Sequence, residues 1–280
     1  MAGPWIALLT DFGTQDAYAG VLRGVLATIS PHATILDLAH DIPRGDVRAG
    51  AFALWQATPY FPPQTIFLCV VDPGVGSPRR ALAVAWPERI CVGPDNGLFS
   101  YLIERDGPPD AVELAAQEFR LGEPSETFHG RDIFAPAAAH LASGVRLSDL
   151  GPPADALVQF PTPHLQTLDG DVVEGEILYA DHFGNLMTSI GILRREEAQL
   201  RLDPWLGQGP ASRLTGRDHL VRLPNGDELA LRRTFADVEP GRGVAYIGSS
   251  GLLEIGINQD SAAAKLAITP GQIVQLRAKA

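Results

Sequence analysis

The chain has 280 residues, 45% hydrophobic and 20% charged, which is ordinary globular composition and excludes disorder. Its 22 Lys and Arg against 33 Asp and Glu leave a net charge of −11, which disfavours nucleic acid or an anionic membrane as partner, because phosphates attract basic faces. At roughly 150 residues per domain, the length suggests two domains, or one large one. In chain order, Trp5 to Leu9 reads as a first strand, ending at Thr10-Asp11-Phe12-Gly13. Tyr18, Val21, Leu22, Val25, Leu26 and Ile29 then recur at helical spacing. Ala33 to Leu38 reads as a strand, Asp46 to Thr58 as a helix, and Thr65 to Val71 as a strand buried on both faces. Ala81 to Trp86 and Arg89 to Val92 are two more strands; Gly97 to Arg105 and Asp132 to Ser143 are further helices. This alternation predicts an α/β layered domain over residues 1–160 with a mostly parallel sheet.

The second half has a different pattern. Residues 151–170 hold Pro152, Pro153, Pro161 and Pro163 and read as a linker. Beyond it come short β-like runs: 172–180, 186–190, 220–223, 228–231, 244–247, 252–257 and 273–276. Asn225-Gly226 signals a hairpin, and Ser249-Ser250-Gly251 a turn. Residues 170–280 are therefore expected to form a smaller, all-β, barrel-like domain. Cys69 and Cys91 lie in apolar runs and read as buried free thiols. No signal peptide or membrane span is expected, and the predicted setting is cytoplasmic.

Ligands of open α/β sheets bind beyond the carboxyl ends of the strands. Asp11 and Asp72 occupy such positions, although a helix-entry residue and a Pro-Gly turn would explain them singly. Asp132 could equally be a helix N-cap, and Asp181-His182-Phe183-Gly184-Asn185 a simple turn. Zinc motifs, a phosphate loop and a Ser-nucleophile elbow are all missing from the sequence, so no metal is expected.

Together the segments are specific. Thr10-Asp11-Phe12-Gly13 with Asp16, Asp72-Pro-Gly-Val-Gly with Arg79-Arg80, Gly93-Pro-Asp-Asn-Gly97, Phe128-His129-Gly130-Arg131-Asp132, Phe183-Gly184-Asn185 and Ser249-Ser250-Gly251 resemble the S-adenosylmethionine hydroxide adenosyltransferase family, whose relatives include fluorinating and chlorinating enzymes. The resemblance spans nearly the whole chain. It implies hydrolysis of S-adenosyl-L-methionine to adenosine and L-methionine by attack of water on the ribose 5′ carbon, with no cofactor. It assigns Asp72, Arg79 and His129 to water activation and Asp11 to the ribose hydroxyls. It assigns Asn185, Phe183 and Phe235 to adenine, Asp181 to the methionine ammonium and Ser249 to its carboxylate, with Glu254 lining the same region. The halogenating relatives carry Arg at the positions of Ser250 and Ile257, where this chain departs from them. The resemblance also implies a homotrimer with sites at subunit interfaces. A halide (chloride) adenosyltransferase and a non-catalytic S-adenosylmethionine or adenosine binder are the alternatives. Asp72 opposes the first, since the halogenating relatives lack it, and the intact Asp72, Arg79 and His129 oppose the second.

Overall fold

The computed structural model describes residues 3–168, 171–206 and 211–279. The chain divides after Phe160 into two compact units. The first contains β1 (Trp5–Thr10), α1 (Tyr18–Ile29), β2 (Thr34–Ala39), α2 (Val47–Ala57), β3 (Thr65–Val70), β4 (Ala81–Trp86), β5 (Arg89–Pro94), α3 (Ser100–Asp106), β6 (Asp110–Glu113) and α4 (Ala135–Ala142). Six strands form one sheet in the order β2-β1-β3-β5-β4-β6. The pairs β1–β2, β1–β3 and β3–β5 are parallel, whereas β4–β5 and β4–β6 are antiparallel. The expected parallel sheet is thus confined to four strands. Only Pro87 and Glu88 separate β4 from β5, too few for the crossover a parallel pair requires, so these two close as a hairpin.

Every residue of β3 is buried. Its Ile66, Leu68 and Val70 share a core with Leu22 and Leu26 of α1 and with Phe134 and Ala138 beside and within α4. Each such side chain contributes roughly 1.5–3 kcal/mol of burial, which fixes the sheet that carries the strand ends. Thr10 pairs in register with Val70, so the chain segments bearing Asp11 and Asp72 leave the sheet side by side.

Two expectations in this unit are corrected. The helix predicted from Asp132 begins as a wide π turn over Gly130–Phe134, and regular α-helix starts only at Ala135. Pro136 has no N–H to bond back to residue 132, so the α pattern cannot extend through it. Asp132 makes no cap; its buried carboxylate accepts from the Ser125 N–H and hydroxyl instead. The predicted linker is also largely fixed structure, and its last positions, 169 and 170, lie outside the described residues. Glu113 N–H donates to the Pro152 carbonyl and Ala154 N–H to the Ala111 carbonyl. Val158 N–H donates to Asp95 and Phe160 N–H to Ser100.

The second unit contains β7 (Leu165–Leu168), β8 (Val172–Ala180), β9 (Leu186–Thr188), β10 (Leu193–Glu196), β11 (Gln199–Leu202), β12 (Ser212–Thr215), β13 (His219–Arg222), β14 (Glu228–Arg232), β15 (Gly243–Ile247), β16 (Leu253–Ile257), α5 (Ala262–Leu266) and β17 (Ile273–Ala278). Seven strands close on themselves in the order β8-β17-β13-β14-β15-β16-β9 and back to β8, a closed barrel. Asn225-Gly226 does lie in the β13–β14 hairpin, and Gly248 to Gly251 make the β15–β16 turn. The sequence reading missed β10, β11 and β12, a separate three-stranded sheet. Arg194, Arg195 and Glu196 are exposed and mask the pattern, while Leu193, Leu200, Leu202 and Leu214 are buried in the core of this unit.

Asp95 accepts from Arg80 Nε at 2.9 Å and from the Val158 N–H at 2.8 Å, with its side chain 5% exposed. Replacing it with Ala strands both donors. Asp95→Ala is expected to cost about 2–3 kcal/mol, read as a lowered urea midpoint with an unchanged slope.

Candidate active site

Asp72 stands two residues beyond β3, at the head of a turn closed by the Val75 N–H to the Asp72 carbonyl and the Ser77 N–H to the Gly74 carbonyl. The turn returns Arg79 over the carboxylate: Arg79 Nε donates to Oδ1 at 2.9 Å and to Oδ2 at 3.0 Å, and Nη2 also donates to Oδ2. The two side chains are 10% and 5% exposed, so the pair is buried, a setting where removing one partner costs several kcal/mol. Arg79 Nη2 also donates to His129 Nδ1 at 2.9 Å, and the guanidinium carbon lies 5.2 Å from the centre of the Phe134 ring. A guanidinium only donates, so His129 Nδ1 is the acceptor and the ring proton sits on Nε2.

The loops meet because residue 76 is glycine. It has φ +79°, and a Cβ there would lie 2.6 Å from the Glu126 carbonyl oxygen. On the other side, Asp132 fixes the segment that carries His129: it holds Ser125, and the Ser125 hydroxyl accepts the Phe128 N–H. Burial opposes the ionised form of Asp132, but Arg131 and the two Ser125 donors outweigh it and hold its pKa below the usual carboxylate range.

Asp72 and His129 face a cavity of about 420 Å³ that is also lined by Asp11, Phe12, Tyr18 and Phe128. Asp11 Oδ2 accepts the Gly45 N–H at 2.8 Å, which leaves Oδ1 for a ligand. Arg79 does not line the cavity; it stands behind Asp72 and His129 and connects them. Arg80 has no part in it, being paired with Asp95 and the carbonyls of Asp155 and Ala156. The aromatic wall was not foreseen in the sequence. Phe12, Tyr18 and Phe128 meet edge to face at 5.3–6.0 Å between ring centres. Helical spacing groups Tyr18 with the apolar face of α1, yet it is 50% exposed. As the first helical residue, its side chain points back past the helix start.

In the second unit, Asp181 closes the β8–β9 turn. Its Oδ1 accepts the N–H groups of Phe183 and Asn185 at 2.9 and 2.8 Å, and its Oδ2 accepts from Asn185 Nδ2 at 2.9 Å. Phe183, 76% exposed, Asn185 and Phe235 line a cavity of about 640 Å³ with Ile257, Asn258 and Ser261. Gly256 packs against two of these side chains: a Cβ there would stand 2.8 Å from both Asn185 Oδ1 and Phe235 Cε1. Asp181, Ser249 and Glu254 do not line this cavity. Ser249 is exposed on the β15–β16 turn. Glu254 is buried against Gly248 of that turn and faces Tyr246 across the ladder. Burial raises the Glu254 pKa, with Tyr246 opposing and the charge of Asp181 adding to the rise. Among the described residues, no three His, Cys, Asp or Glu side chains are grouped to hold a metal ion.

Residues 6–151 match the model of the SAM hydroxide adenosyltransferase N-terminal domain, and residues 175–275 that of the C-terminal domain. The chain belongs to the SAM hydroxide adenosyltransferase family. It is 39% identical to the (R)-S-adenosyl-L-methionine hydrolase of Salinispora tropica, over 98% of both chains. It is 41% identical to the enzyme of that name from Thermus thermophilus, over 97% of this chain and 98% of the relative. A fluorinase from an Actinoplanes species is 32% identical over 91% of each. The crystal structure of an uncharacterized conserved protein from Thermotoga maritima superposes with a TM-score of 0.82 at 32% identity, over 97% of this chain and 99% of that one.

In this member of the SAM hydroxide adenosyltransferase family, His129 has its pKa lowered, first by burial and then by Arg79, with Asp72 opposing. The ring is therefore neutral at pH 7, as Nδ1 must be to accept from Arg79. An NMR titration of the His129 ring should give a midpoint below the ordinary value of about 6.5. Asp72→Asn removes the largest of the three carboxylate charges, with Asp132 and Glu126, that raise the ring's pKa, and should lower the midpoint further.

Proposed function

We propose that this chain hydrolyses S-adenosyl-L-methionine to adenosine and L-methionine, with water attacking the ribose 5′ carbon in the cavity faced by Asp72 and His129. The observation that carries the reading is the Asp72–Arg79–His129 chain at 2.9–3.0 Å beside the Asp11 carboxylate. The substrate supplies its own leaving group, because a sulfonium departs as a neutral thioether. Asp72 accepts a hydrogen bond from the attacking water, and the His129 Nε2–H can donate to its oxygen. Attack by neutral water leaves a protonated alcohol, a far stronger acid than any carboxylic acid. Asp72 therefore takes the proton as the carbon–oxygen bond forms and the carbon–sulfur bond breaks. Positioning contributes more than deprotonation in advance.

Asp11 accepts from the ribose hydroxyls, and Asn185, Phe183 and Phe235 hold the adenine. Asp181, Ser249 and Glu254 serve the methionine end. The reading calls on no metal or cofactor. It includes a homotrimer in which one subunit supplies Asp72 and another Asn185. It also includes a cytoplasmic setting, in keeping with the free, buried Cys69 and Cys91.

Purified protein in halide-free buffer should release adenosine and methionine in equal amounts, and chelator should leave the rate unchanged. Asp72→Ala should lower kcat by roughly 10²–10³-fold with KM changed by less than about threefold, since water positioning matters chiefly in the transition state. Chromatography of the products checks both statements.

Charge sets the choice of nucleophile. A halide would have to shed its water beside the Asp72 carboxylate, whereas water is neutral and can donate to it. Adenosine should remain the product even in concentrated chloride. Asp72→Ser leaves Arg79 unpaired as an anion attractor and should yield 5′-chloro-5′-deoxyadenosine, detectable by mass spectrometry. That chloride product from the unmodified protein in quantity would remove the carboxylate as gatekeeper.

A further inference from the structure

His40 lies immediately beyond β2 and is 5% exposed. Its Nε2 is 3.0 Å from Asp37 Oδ1, and its Nδ1 is 2.8 Å from the Thr10 hydroxyl, which is fully buried at the end of β1. Arg23 completes the outer end, with Nε donating to Asp37 Oδ1 at 3.0 Å and Nη2 to Oδ2. A carboxylate accepts only, so the Nε2 proton points to Asp37 at 3.0 Å, the nearer neighbour, with Arg23 Nη2 at 3.4 Å from the same nitrogen, and Nδ1 faces the Thr10 hydroxyl. The Thr10 oxygen then has a lone pair for the Phe12 N–H at 3.3 Å. The same His40 accepts the Gly13 N–H at its backbone carbonyl at 2.8 Å. Asp11 is therefore gripped on both sides in the chain: through Thr10 and Phe12 by the imidazole, and through Gly13 by the carbonyl. Five residues further on, Gly45 donates to Asp11 itself.

We infer that His40 is a positioning residue for the Asp11 carboxylate, linking it through Thr10 to the surface Asp37–Arg23 pair so that its free oxygen is held toward the cavity. His40 does not line that cavity. Any buried imidazole needs partners at both ring nitrogens; what sets His40 apart is that its inner partner, the Thr10 hydroxyl, also bonds the turn that carries Asp11. The inference rests on the reading of Asp11 as the acceptor of the ribose hydroxyls. Those contacts exist in the bound substrate as well as in the transition state, so loosening Asp11 affects binding more than turnover.

The experiment compares unmodified protein with His40→Leu, His40→Asn, Thr10→Val, Asp11→Asn and the His40→Leu/Asp11→Asn double variant. His40→Leu is expected to raise KM for S-adenosyl-L-methionine about tenfold with kcat within about threefold. His40→Asn keeps an amide near the position of Nδ1 and should recover most of the loss. In the Asp11→Asn background, His40→Leu should change KM by less than about twofold, because the group it positions is already gone. Amide hydrogen exchange gives the second readout: His40→Leu should speed exchange at Phe12 and Gly13 and leave the central amides of β1 and β3 unchanged. Thr10→Val, which preserves volume, should reproduce the Phe12 effect and replaces His40→Leu if that variant fails to fold. Additive effects in the double variant, an unchanged KM, or unchanged protection at Phe12 and Gly13 would each overturn the inference. An unmodified protein that releases no adenosine would overturn the hydrolase reading instead, and the exchange measurement would still decide whether His40 holds the Asp11 turn.

Discussion

A guanidinium can donate but never accept, and in this protein one guanidinium is shared by two acceptors that the chain separates by 57 residues. Arg79 gives hydrogen bonds to both oxygens of Asp72 and to Nδ1 of His129. Because its side chain and that of Asp72 are nearly dry, neither can be removed without leaving a buried charge. The consequences follow in order. Asp72 is fixed by the guanidinium at both oxygens, His129 is held neutral with its proton on Nε2, and the two are set at a fixed separation on one cavity wall.

The fold supplies the conditions for that arrangement. β1 and β3 are parallel neighbours in register, so the residues after them, Asp11 and Asp72, emerge at one edge. Asn96 Nδ2 donates to the Val71 carbonyl at 2.9 Å and so anchors the backbone just before Asp72. Asp132 braces the segment that carries Phe128 and His129. Polar groups buried in this way are costly unless satisfied, and here they are satisfied by one another.

The second unit solves a different problem. A closed barrel has no free edges, so its turns are available for binding groups. The β8–β9 turn is tied by Asp181, which explains how Asn185 is presented beside Phe183 and Phe235. Gly256 leaves the space between them. Asp181 therefore has an evident structural duty in addition to its proposed contact with the methionine ammonium.

By itself the sequence determined most of the strands and the barrel-like second half, and it singled out Asp11, Asp72, Arg79 and His129, which the structure gathers at one cavity. Apolar runs, periodicity and short turn signals are local, and the six motif segments are read directly. The resemblance already favoured Arg79 over Arg80 as the partner of Asp72; tertiary structure showed what occupies Arg80, which is paired with Asp95. It alone showed that Asp132 braces a loop rather than caps a helix, and that Tyr18 faces a cavity rather than the core. It alone revealed β10 to β12, whose exposed Arg and Glu hide the strand pattern. The chain from Arg23 through Asp37 and His40 to Thr10 was likewise invisible, since it joins α1, β2 and β1. Contacts of that kind depend on where elements pack, which no spacing along the chain records.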